Sequence, residues 1–573
     1  MTLLDIRDLS VEFPIRDRVF VAVDKANLTV EPGEIHGLVG ESGAGKSTIG
    51  AAVMGLLERP GFISAGDIDF QGDRISGLDA KAMRDLRGKR ISMIFQDPLT
   101  SLNPLFTVRE QLVETIVEHL PVSKSEANAR ARALIERVGI PDPDSRLDQY
   151  PHQFSGGMRQ RVVIALALCS EPEVIIADEP TTALDVSVQA QILELIKGLA
   201  RERQVGVILI THDIGVIAET TDKVTVMYKG EVVESGLTAQ IMGSPQHEYT
   251  KSLIAAVPRA KLKLKRFPQI SYDGRATRFA IEDLSRDWDP VAHDPSKPLV
   301  EVRNIVKEFI LRQSPIPWLR TSMTAVDDVS FDIWPGEIFG VVGESGSGKS
   351  TVARVISGLY DADGGTVRFD GTVVSDRRDA KAIQEYRKKI QMIFQDPFSS
   401  LNPRMRVKDI VAEPMRHHRI STADGIVRRV DELLEAVGLT AEAGRRYPHE
   451  FSGGQRQRIS IARALATQPQ FLICDEPTSA LDVSIQAQIL NILKDLREHL
   501  GLTMLFISHD LPVIRQMCDR VAVVKHGQLV ELQTTDELFS NPQHSYTQEL
   551  LTLMPKLDAL SDEGLAGMED ATS

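Results

Sequence analysis

The feature that most constrains the fold of this sequence is an internal repeat about 300 residues long. The string GESGAGKST begins at Gly40 and returns as GESGSGKST at Gly343, and MIFQDPLTSLNP begins at Met93 and returns as MIFQDPFSSLNP at Met392. Three further strings recur in the same order, 297 residues later. Solenoid repeats have units of roughly 20 to 50 residues, so a period this long predicts two homologous domains fused in one chain.

The repeat also predicts where the domains begin and end. We expect domain 1 over residues 1–257, a linker over 258–299, domain 2 over 300–555 and a frayed tail over 556–573. In the linker, apolar periodicity fails and Pro, Asp and Arg accumulate, as in connecting segments. Its basic run KLKLKR, residues 261–266, is interpreted as solvated, and contact with anionic lipid headgroups is the alternative.

Composition argues against several classes of protein. The formal net charge of −14 disfavours binding to long tracts of nucleic-acid phosphate. The three cysteines lie far apart without CxxC spacing, so no disulfide framework or zinc site is predicted, and we expect inert core thiols. Apolar runs fall short of the ~20 residues that cross a bilayer, and acids stand where a signal peptide would be basic. The chain is therefore expected neither to span a membrane nor to be secreted.

Each domain contains a glycine-rich loop between a strand-like run and a helical pattern. In such loops backbone N–H groups and a helix N-terminus surround phosphates, a lysine reaches the outer phosphates and the next serine can ligate Mg²⁺. The residues predicted to bind phosphate are Gly40, Ser42, Gly43, Gly45, Lys46, Ser47 and Thr48 in domain 1 and Gly343, Ser345, Gly346, Gly348, Lys349, Ser350 and Thr351 in domain 2.

Two adjacent acids end an apolar run of strand length in each domain, VIIADEP and FLICDEP. Buried parallel strands read as continuous hydrophobic runs, and ligands of open α/β sheets bind at the carboxyl ends of the strands. Asp178 and Asp475 are therefore predicted to hold Mg²⁺ through water, and Glu179 and Glu476 to orient or polarise the attacking water. The alternative is that these acids cap the following segment.

Further polar residues follow other strand-like runs. His212 and His509 are predicted to contact the γ-phosphate, and Gln96 and Gln395 to sense Mg²⁺ or the water. The predicted metal ligands are thus Ser47, Gln96 and Asp178 in domain 1 and Ser350, Gln395 and Asp475 in domain 2. The predicted catalytic residues are Glu179, His212 and Gln96 in domain 1 and Glu476, His509 and Gln395 in domain 2.

With FSGGM at 154–158 and FSGGQ at 451–455, the sequence resembles the nucleotide-binding domains of ATP-binding cassette (ABC) proteins throughout both halves. The resemblance includes the D-loops at 182–185 and 479–482. It implies an α/β fold with two tandem P-loop NTPase domains, each with a RecA-like core, a helical signature subdomain and an antiparallel β subdomain. It also implies ATP hydrolysis with Mg²⁺, coupled to transport.

The resemblance further implies that the two domains pack head to tail, so that each ATP lies between one phosphate loop and the opposite signature. The signature residues are Ser155, Gly156 and Gly157 in domain 1 and Ser452, Gly453 and Gly454 in domain 2. The residue Met158 departs from the usual glutamine and leaves the serine and glycines intact. Phe13 and Phe309 are the expected adenine-stacking residues, although extra residues around Trp318 disturb the register in domain 2.

The QDPxxSLNP and PQHxYT strings resemble the peptide and nickel importer branch. This implies two separate permease subunits, an extracytoplasmic solute-binding protein, a peripheral location on the cytoplasmic face of the inner membrane and no nucleic-acid partner. Peptides, nickel complexes, glutathione-like molecules and opines remain open as substrates. An exporter motor and a soluble tandem ATPase acting on ribosomes or DNA are the alternatives. No iron–sulfur cluster is predicted, because 257–273 and 554–573 contain no cysteine.

Apolar side chains in the QDPxxSLNP strings are predicted to dock a permease helix next to the catalytic glutamine. These are Leu99, Leu102 and Leu105 in domain 1 and Phe398 and Leu401 in domain 2. The alternative is that they are ordinary core residues.

Overall fold

The computed structural model describes residues 2–15, 18–181, 184–259, 263–268, 279–288, 293–312, 321–375, 380–479 and 481–554. The chain divides into two compact units after Val257. Each unit contains one complete copy of the repeat, and each is described by itself below as domain 1 or domain 2.

The strands described in domain 1 form an antiparallel group and a mainly parallel group. They are β1 (Leu4–Ile15), β2 (Arg18–Val30), β3 (Ile35–Gly40), β4 (Phe62–Phe70), β5 (Asp73–Arg74), β6 (Ile91–Ile94), β7 (Val174–Asp178), β8 (Gly206–Thr211), β9 (Lys223–Tyr228) and β10 (Glu231–Leu237). In the order β9, β3, β8, β7 and β6 they run parallel, and β10 pairs antiparallel with β9. Strands β5, β4, β1 and β2 form the antiparallel part.

Burial explains the parallel arrangement. Every residue of β3, β7 and β8 is buried, because helices cover both faces of this part of the sheet. The two groups of strands are joined where β10 pairs with β2 at Glu231 and Asp24. Because β3, β7 and β8 run parallel, their carboxyl ends, with their polar residues, lie at one edge of the sheet.

The helices described in domain 1 are α1 (Lys46–Val53), α2 (Ala80–Leu86), α3 (Pro98–Ser101), α4 (Val108–His119), α5 (Lys124–Arg137), α6 (Pro143–Leu147), α7 (Gly156–Leu168), α8 (Val186–Arg203), α9 (Ile214–Thr220), α10 (Thr238–Gly243) and α11 (Glu248–Ala255). Helices α3 to α7 follow one another between β6 and β7 and form a helical subdomain, whose apolar side chains belong to one core cluster with residues of the neighbouring strands and of α8. Its helices have strong start signals, such as the capping box that Thr107 and Glu110 form at α4.

The second unit repeats this plan. Its described helices are α12 (Ile281–Leu284), α13 (Lys349–Ile356), α14 (Ala380–Lys389), α15 (Pro397–Ser400), α16 (Val407–His418), α17 (Ala423–Ala436), α18 (Gly453–Leu465), α19 (Val483–Leu500), α20 (Leu511–Met517), α21 (Thr535–Ser540) and α22 (Ser545–Thr552). Its described strands are β11 (Val300–Arg312), β12 (Thr321–Ile333), β13 (Ile338–Val342), β14 (Gly364–Phe369), β15 (Thr372–Val373), β16 (Ile390–Ile393), β17 (Phe471–Asp475), β18 (Thr503–Ile507), β19 (Arg520–Lys525) and β20 (Gln528–Thr534). The six-stranded sheet has the order β16, β17, β18, β13, β19 and β20, as in domain 1. The predicted fold class is confirmed.

The described part of the linker packs on domain 2. The side-chain amide of Asn491, on α19, accepts from the N–H of Phe267 and donates to its carbonyl, both at 2.9 Å. The Phe267 ring is buried, and Lys494 donates to the carbonyl of Leu264 at 2.6 Å. Arg266 pairs with Glu498 at 2.6 Å. The basic side chains of Lys263, Lys265 and Arg266 are exposed, which agrees with the solvated interpretation, while the backbone of the run is bonded to domain 2; residues 261 and 262 lie outside the described residues.

Two expectations from composition can be compared with the structure. All three cysteines are buried, as predicted, and burial raises the pKa of the Cys169 thiol to about 12. Within the described ranges, no helix combines the length and apolar character that a membrane span requires.

Candidate active sites

The phosphate loop of domain 1 joins β3 to α1, and two of its glycines are required by close backbone neighbours. A Cβ on Gly40 would lie 2.2 Å from the carbonyl oxygen of Met227, and one on Gly45 would lie 2.4 Å from that of Ala22. A Cβ on Gly43 would meet nothing within 4 Å. The loop is thus packed against β9 and β2 on one side and open on the other. Gly343, Gly348 and Gly346 repeat these three environments in domain 2.

The loop lysines are buried and bonded to the main chain of their own loops. Lys46 Nζ donates to the carbonyl oxygens of Gly40 and Glu41, each at 2.8 Å. Lys349 Nζ makes the equivalent bonds, at 2.8 Å to Gly343 and 2.7 Å to Glu344. These contacts hold each ammonium group at the loop, where phosphate oxygens would be its strongest available partners.

A serine and an aspartate meet at the entrance of α1 and of α13. Ser47 Oγ donates to Asp178 Oδ1 at 2.9 Å, and Ser350 Oγ to Asp475 Oδ1 at 2.9 Å. Burial raises the pKa of both aspartates, and the serine hydroxyls oppose this effect. A buried carboxylate beside a hydroxyl is a pair of hard oxygen donors, which fits Mg²⁺. Ser47 with Asp178 and Ser350 with Asp475 are the residues that would hold it, and Mg²⁺ would neutralise charge on the phosphates.

In domain 1 the carboxylate of Glu179 is held by the two polar residues that the sequence predicted. Gln96 Nε2 donates to Oε2 at 2.8 Å, and His212 Nδ1 lies 3.1 Å from Oε1. The backbone of Glu179 has φ +47°, a conformation that costs roughly 1–3 kcal/mol outside glycine, and its N–H donates to the carbonyl of Ile210. The strained backbone thus aims the carboxylate at the glutamine and histidine.

Domain 2 repeats this arrangement. Gln395 Nε2 lies 2.8 Å and His509 Nδ1 3.1 Å from Oε2 of Glu476, whose φ is +48°. Burial alone would raise the pKa of Glu476, but the hydrogen bond and charge of His509, together with the charge of Lys349 and the hydrogen bond of Gln395, outweigh burial and lower it. The same contact raises the pKa of His509 against the effect of burial. The site therefore favours an ionised carboxylate, the form that accepts a proton or orients water.

The signature serines begin helices. Ser155 Oγ accepts from the N–H of Met158 at 3.3 Å, and Ser452 Oγ from the N–H of Gln455 at 3.4 Å. Gln455 also accepts from the N–H of Ser452 at 3.1 Å, which completes a capping box. Methionine at 158 cannot return that bond, so the departure from the usual residue removes one cap contact and retains the serine hydroxyl.

Both predicted adenine-stacking residues are half-buried and lie in the hairpin beside the phosphate loop. Phe13 is opposite Phe20 in the β1–β2 register, and Phe309 is opposite Met323 in the β11–β12 register. Phe20 and Met323 are about half exposed. Sequence reasoning missed these two cross-strand neighbours. They stand two residues before Ala22 and Ala325, whose carbonyl oxygens would lie 2.4 Å from a Cβ on Gly45 and on Gly348, and no sequence pattern shows this proximity.

The structure brings together six predicted residues within each domain: lysine, serine, aspartate, glutamate, glutamine and histidine. The signature residues belong to the opposite domain's site in the predicted pairing, and that pairing remains a prediction. In the D-loops, residues 182, 183 and 480 lie outside the described residues.

The predicted docking residues divide into two groups. Leu102 and Leu401 are only 3% and 2% exposed, so their assignment to a docking surface is wrong and they are core residues. Leu99, Leu105 and Phe398 are 61%, 79% and 63% exposed. These three side chains remain available to a partner.

Comparison with known families agrees with this geometry. Residues 23–182 and 326–479, more than half of the chain, match the family model described as ABC transporter. The chain belongs to the ABC transporter family. It is an ATPase of that family, and the resemblance read from the motifs is confirmed. A second model, described as oligopeptide/dipeptide transporter C-terminal region, matches residues 233–278 and 530–572.

Two curated relatives support the same assignment. The chain is 46% identical over 561 residues to the glutathione import ATP-binding protein GsiA of Escherichia coli K12 and to that of Shigella dysenteriae serotype 1. Both alignments cover 96% of this chain and 89% of the relative. A solved dimeric structure of the ATP-binding cassette MJ0796 with ADP and Pi is 27% identical over 41% of this chain and 98% of its own, with a TM-score of 0.38.

Proposed function

We propose that this chain is the ATP-hydrolysing subunit of an importer for peptides or related small solutes. Its ATP hydrolysis drives transport through two separate permease subunits, to which an extracytoplasmic solute-binding protein delivers the solute. The chain lies on the cytoplasmic face of the inner membrane. The observation that carries the import assignment is the match of both domain ends to the oligopeptide/dipeptide transporter region. Glutathione is itself a small peptide, so the names of the relatives fit the same substrate class.

Chemically, each domain supplies what phosphoryl transfer to water requires of a protein, which is positioning and electrostatic stabilisation. The loop amides and Lys46 bind the phosphates, while Glu179 accepts a hydrogen bond from the attacking water. Gln96 and His212 hold that carboxylate, and His212 is placed to contact the γ-phosphate. The corresponding residues perform these functions in domain 2.

We propose further that each ATP-binding site is completed by the signature residues of the opposite domain. Ser452, Gly453 and Gly454 then face the Lys46 site, and Ser155, Gly156 and Gly157 face the Lys349 site. Hydroxyl and N–H donors at a helix N-terminus are suited to a γ-phosphate. Substituting Ser452→Arg is expected to prevent nucleotide trapping at the Lys46 site, with label counted on each half after photocrosslinking. Loss of label only on the half that carries Ser452 would contradict this pairing.

The import function is tested by uptake in cells that lack the endogenous transporter. Co-expression of this chain with its permeases and binding protein is expected to restore accumulation of labelled peptide. A Lys46→Ala, Lys349→Ala double variant is the matched control, because it keeps every other residue of the two phosphate loops and lacks both proposed phosphate-binding charges. Export of preloaded peptide in place of uptake would contradict the proposal.

A further inference from the structure

A tyrosine from the C-terminal helix of each domain is bonded to the phosphate loop. Tyr249 on α11 is fully buried, and its Oη accepts from the backbone N–H of Glu41 at 3.2 Å. Tyr546 on α22 is 2% exposed and accepts from the N–H of Glu344 at 3.0 Å. The contact occurs independently in both domains, which marks it as a property of the repeat.

The N–H that the tyrosine holds belongs to the peptide between Gly40 and Glu41. The carbonyl of that same peptide, Gly40 O, accepts from Lys46 Nζ at 2.8 Å, and Glu41 O accepts a second bond from Lys46. The tyrosine and the loop lysine therefore hold opposite sides of one peptide plane. In domain 2, Tyr546 and Lys349 hold the peptide between Gly343 and Glu344 in the same way.

A restraint on this peptide is needed because a glycine precedes it. Glycine has φ and ψ freedom that other residues lack, so the orientation of the following peptide is weakly determined by the chain itself. If this peptide rotated, the Gly40 carbonyl would turn away from the Lys46 ammonium group. A hydrogen bond to its N–H opposes that rotation.

The PQHxYT motif explains how the tyrosine of domain 1 is held. Glu234 on β10 accepts from the N–H groups of Gln246 and His247, at 2.8 and 3.1 Å. His247 Nδ1 then accepts from the N–H of Tyr249 at 3.2 Å and caps α11. Domain 2 repeats all three contacts, with Glu531, Gln543, His544 and Tyr546. The motif thus ties strand, cap and tyrosine together beside the loop.

We infer that Tyr249 and Tyr546 are positioning residues for ATP binding, which act by orienting the first peptide of the phosphate loop and, through it, the loop lysine. The C-terminal region of each domain thereby sets the affinity of the nucleotide site. The inference goes beyond the import function and depends only on Lys46 and Lys349 as phosphate-binding residues.

The test is the double variant Tyr249→Phe, Tyr546→Phe in the full chain. It removes only the two hydroxyl groups. The ring contacts remain, which are Tyr228 at 4.4 Å from Tyr249 and Lys525 at 4.3 Å from Tyr546. We expect the Kd of a fluorescent ATP analogue and the KM for ATP to rise about fivefold, the effect of one neutral hydrogen bond, with kcat changed less than twofold.

The matched control is Thr250→Val. Thr250 follows Tyr249 on the same helix, is 1% exposed, and its hydroxyl has no hydrogen-bond partner in the described part of the chain. We expect it to leave Kd, KM and the melting temperature unchanged. A tyrosine double variant with wild-type Kd and KM would overturn the inference. So would an equal loss of ATP affinity in Thr250→Val, because it would indicate general loosening of α11.

Failure of the site assignment itself gives a different result. If the analogue still binds to Lys46→Ala, Lys349→Ala with wild-type Kd, the phosphate-loop assignment is wrong. If binding requires the lysines and ignores the tyrosine hydroxyls, only the present inference fails.

Discussion

Substituting Leu102 and Leu105 in separate variants distinguishes a role in partner docking from a role in core packing. Leu105 is 79% exposed, whereas Leu102 is 3% exposed. Both follow the proposed catalytic glutamine, Leu102 within the QDPxxSLNP string and Leu105 directly after it, so the variants Leu105→Glu and Leu102→Glu carry the same chemical change close to the same proposed active site. Only their burial differs.

The burial of each leucine determines how much its replacement by glutamate changes the free energy of unfolding. Truncating a buried leucine costs about 2–5 kcal/mol, and placing an unpaired carboxylate in the cavity adds several more. That sum is comparable with the ~5–15 kcal/mol that holds a domain folded, so Leu102→Glu is expected to unfold the helical subdomain of domain 1. At Leu105 a polar side chain replaces one already in solvent, and the change is expected to stay within about 0.5 kcal/mol.

The assays are thermal melting, ATPase activity of the isolated chain, co-purification of the permeases and uptake. For Leu105→Glu we expect wild-type melting and basal ATPase activity, with co-purification and uptake lost. For Leu102→Glu we expect a lowered melting temperature and loss of all activities together. Full uptake by Leu105→Glu would refute the docking proposal, and wild-type melting of Leu102→Glu would refute the burial argument.

Three further predictions concern catalysis and the linker. Glu179→Gln and Glu476→Gln should each lower steady-state ATPase activity about twofold or more, since each removes the water-orienting carboxylate of one of two proposed sites; normal turnover in either variant would contradict hydrolysis at that site. Asn491→Leu should destabilise domain 2 by about 2–4 kcal/mol in guanidinium unfolding, because both polar groups of Phe267 lose their partner. Burial lowers the pKa of Lys494 to about 8. Between pH 8 and 10.5 the unfolded chain binds the proton and the folded chain does not, so stability rises by up to ~1.4 kcal/mol per pH unit. Lys494→Met should abolish this rise.

The convergence of the residues proposed to be catalytic could be predicted from the sequence because the signals that place them are local. Asp178 ends a fully buried strand and Glu179 directly follows it, and the glycines of the loop precede Lys46 at the start of a helix. Continuous apolar runs determine where parallel strands lie, and the carboxyl ends of such strands meet at one edge. Chain-local patterns were therefore sufficient to bring the lysine, aspartate and glutamate together.

Other features depend on contacts between distant segments, which no local pattern shows. Helix α3 has four residues, too few for helical periodicity to separate exposed Leu99 from buried Leu102. The basic run 261–266 was interpreted as solvated, and its described basic side chains are exposed, but the sequence did not show that the segment around Phe267 is attached to domain 2. Its attachment depends on the Asn491 amide, which lies 224 residues away from Phe267. A side chain that binds backbone atoms makes no demand on the composition of the segment it binds, so the sequence of that segment does not indicate the contact.

The two halves differ at the linker contacts more than at the catalytic residues. The lysine, serine, aspartate, glutamate, glutamine and histidine of the proposed site in domain 1 recur in domain 2 with the corresponding partners. By contrast, Asn491 and Gln516, which bond the linker, correspond 297 residues earlier to Glu194 and Glu219. A glutamate carboxylate only accepts hydrogen bonds, so it could not donate to linker carbonyls as these amides do. The two domains therefore differ in whether they can bind the linker backbone, while the residues proposed for ATP hydrolysis are the same in both.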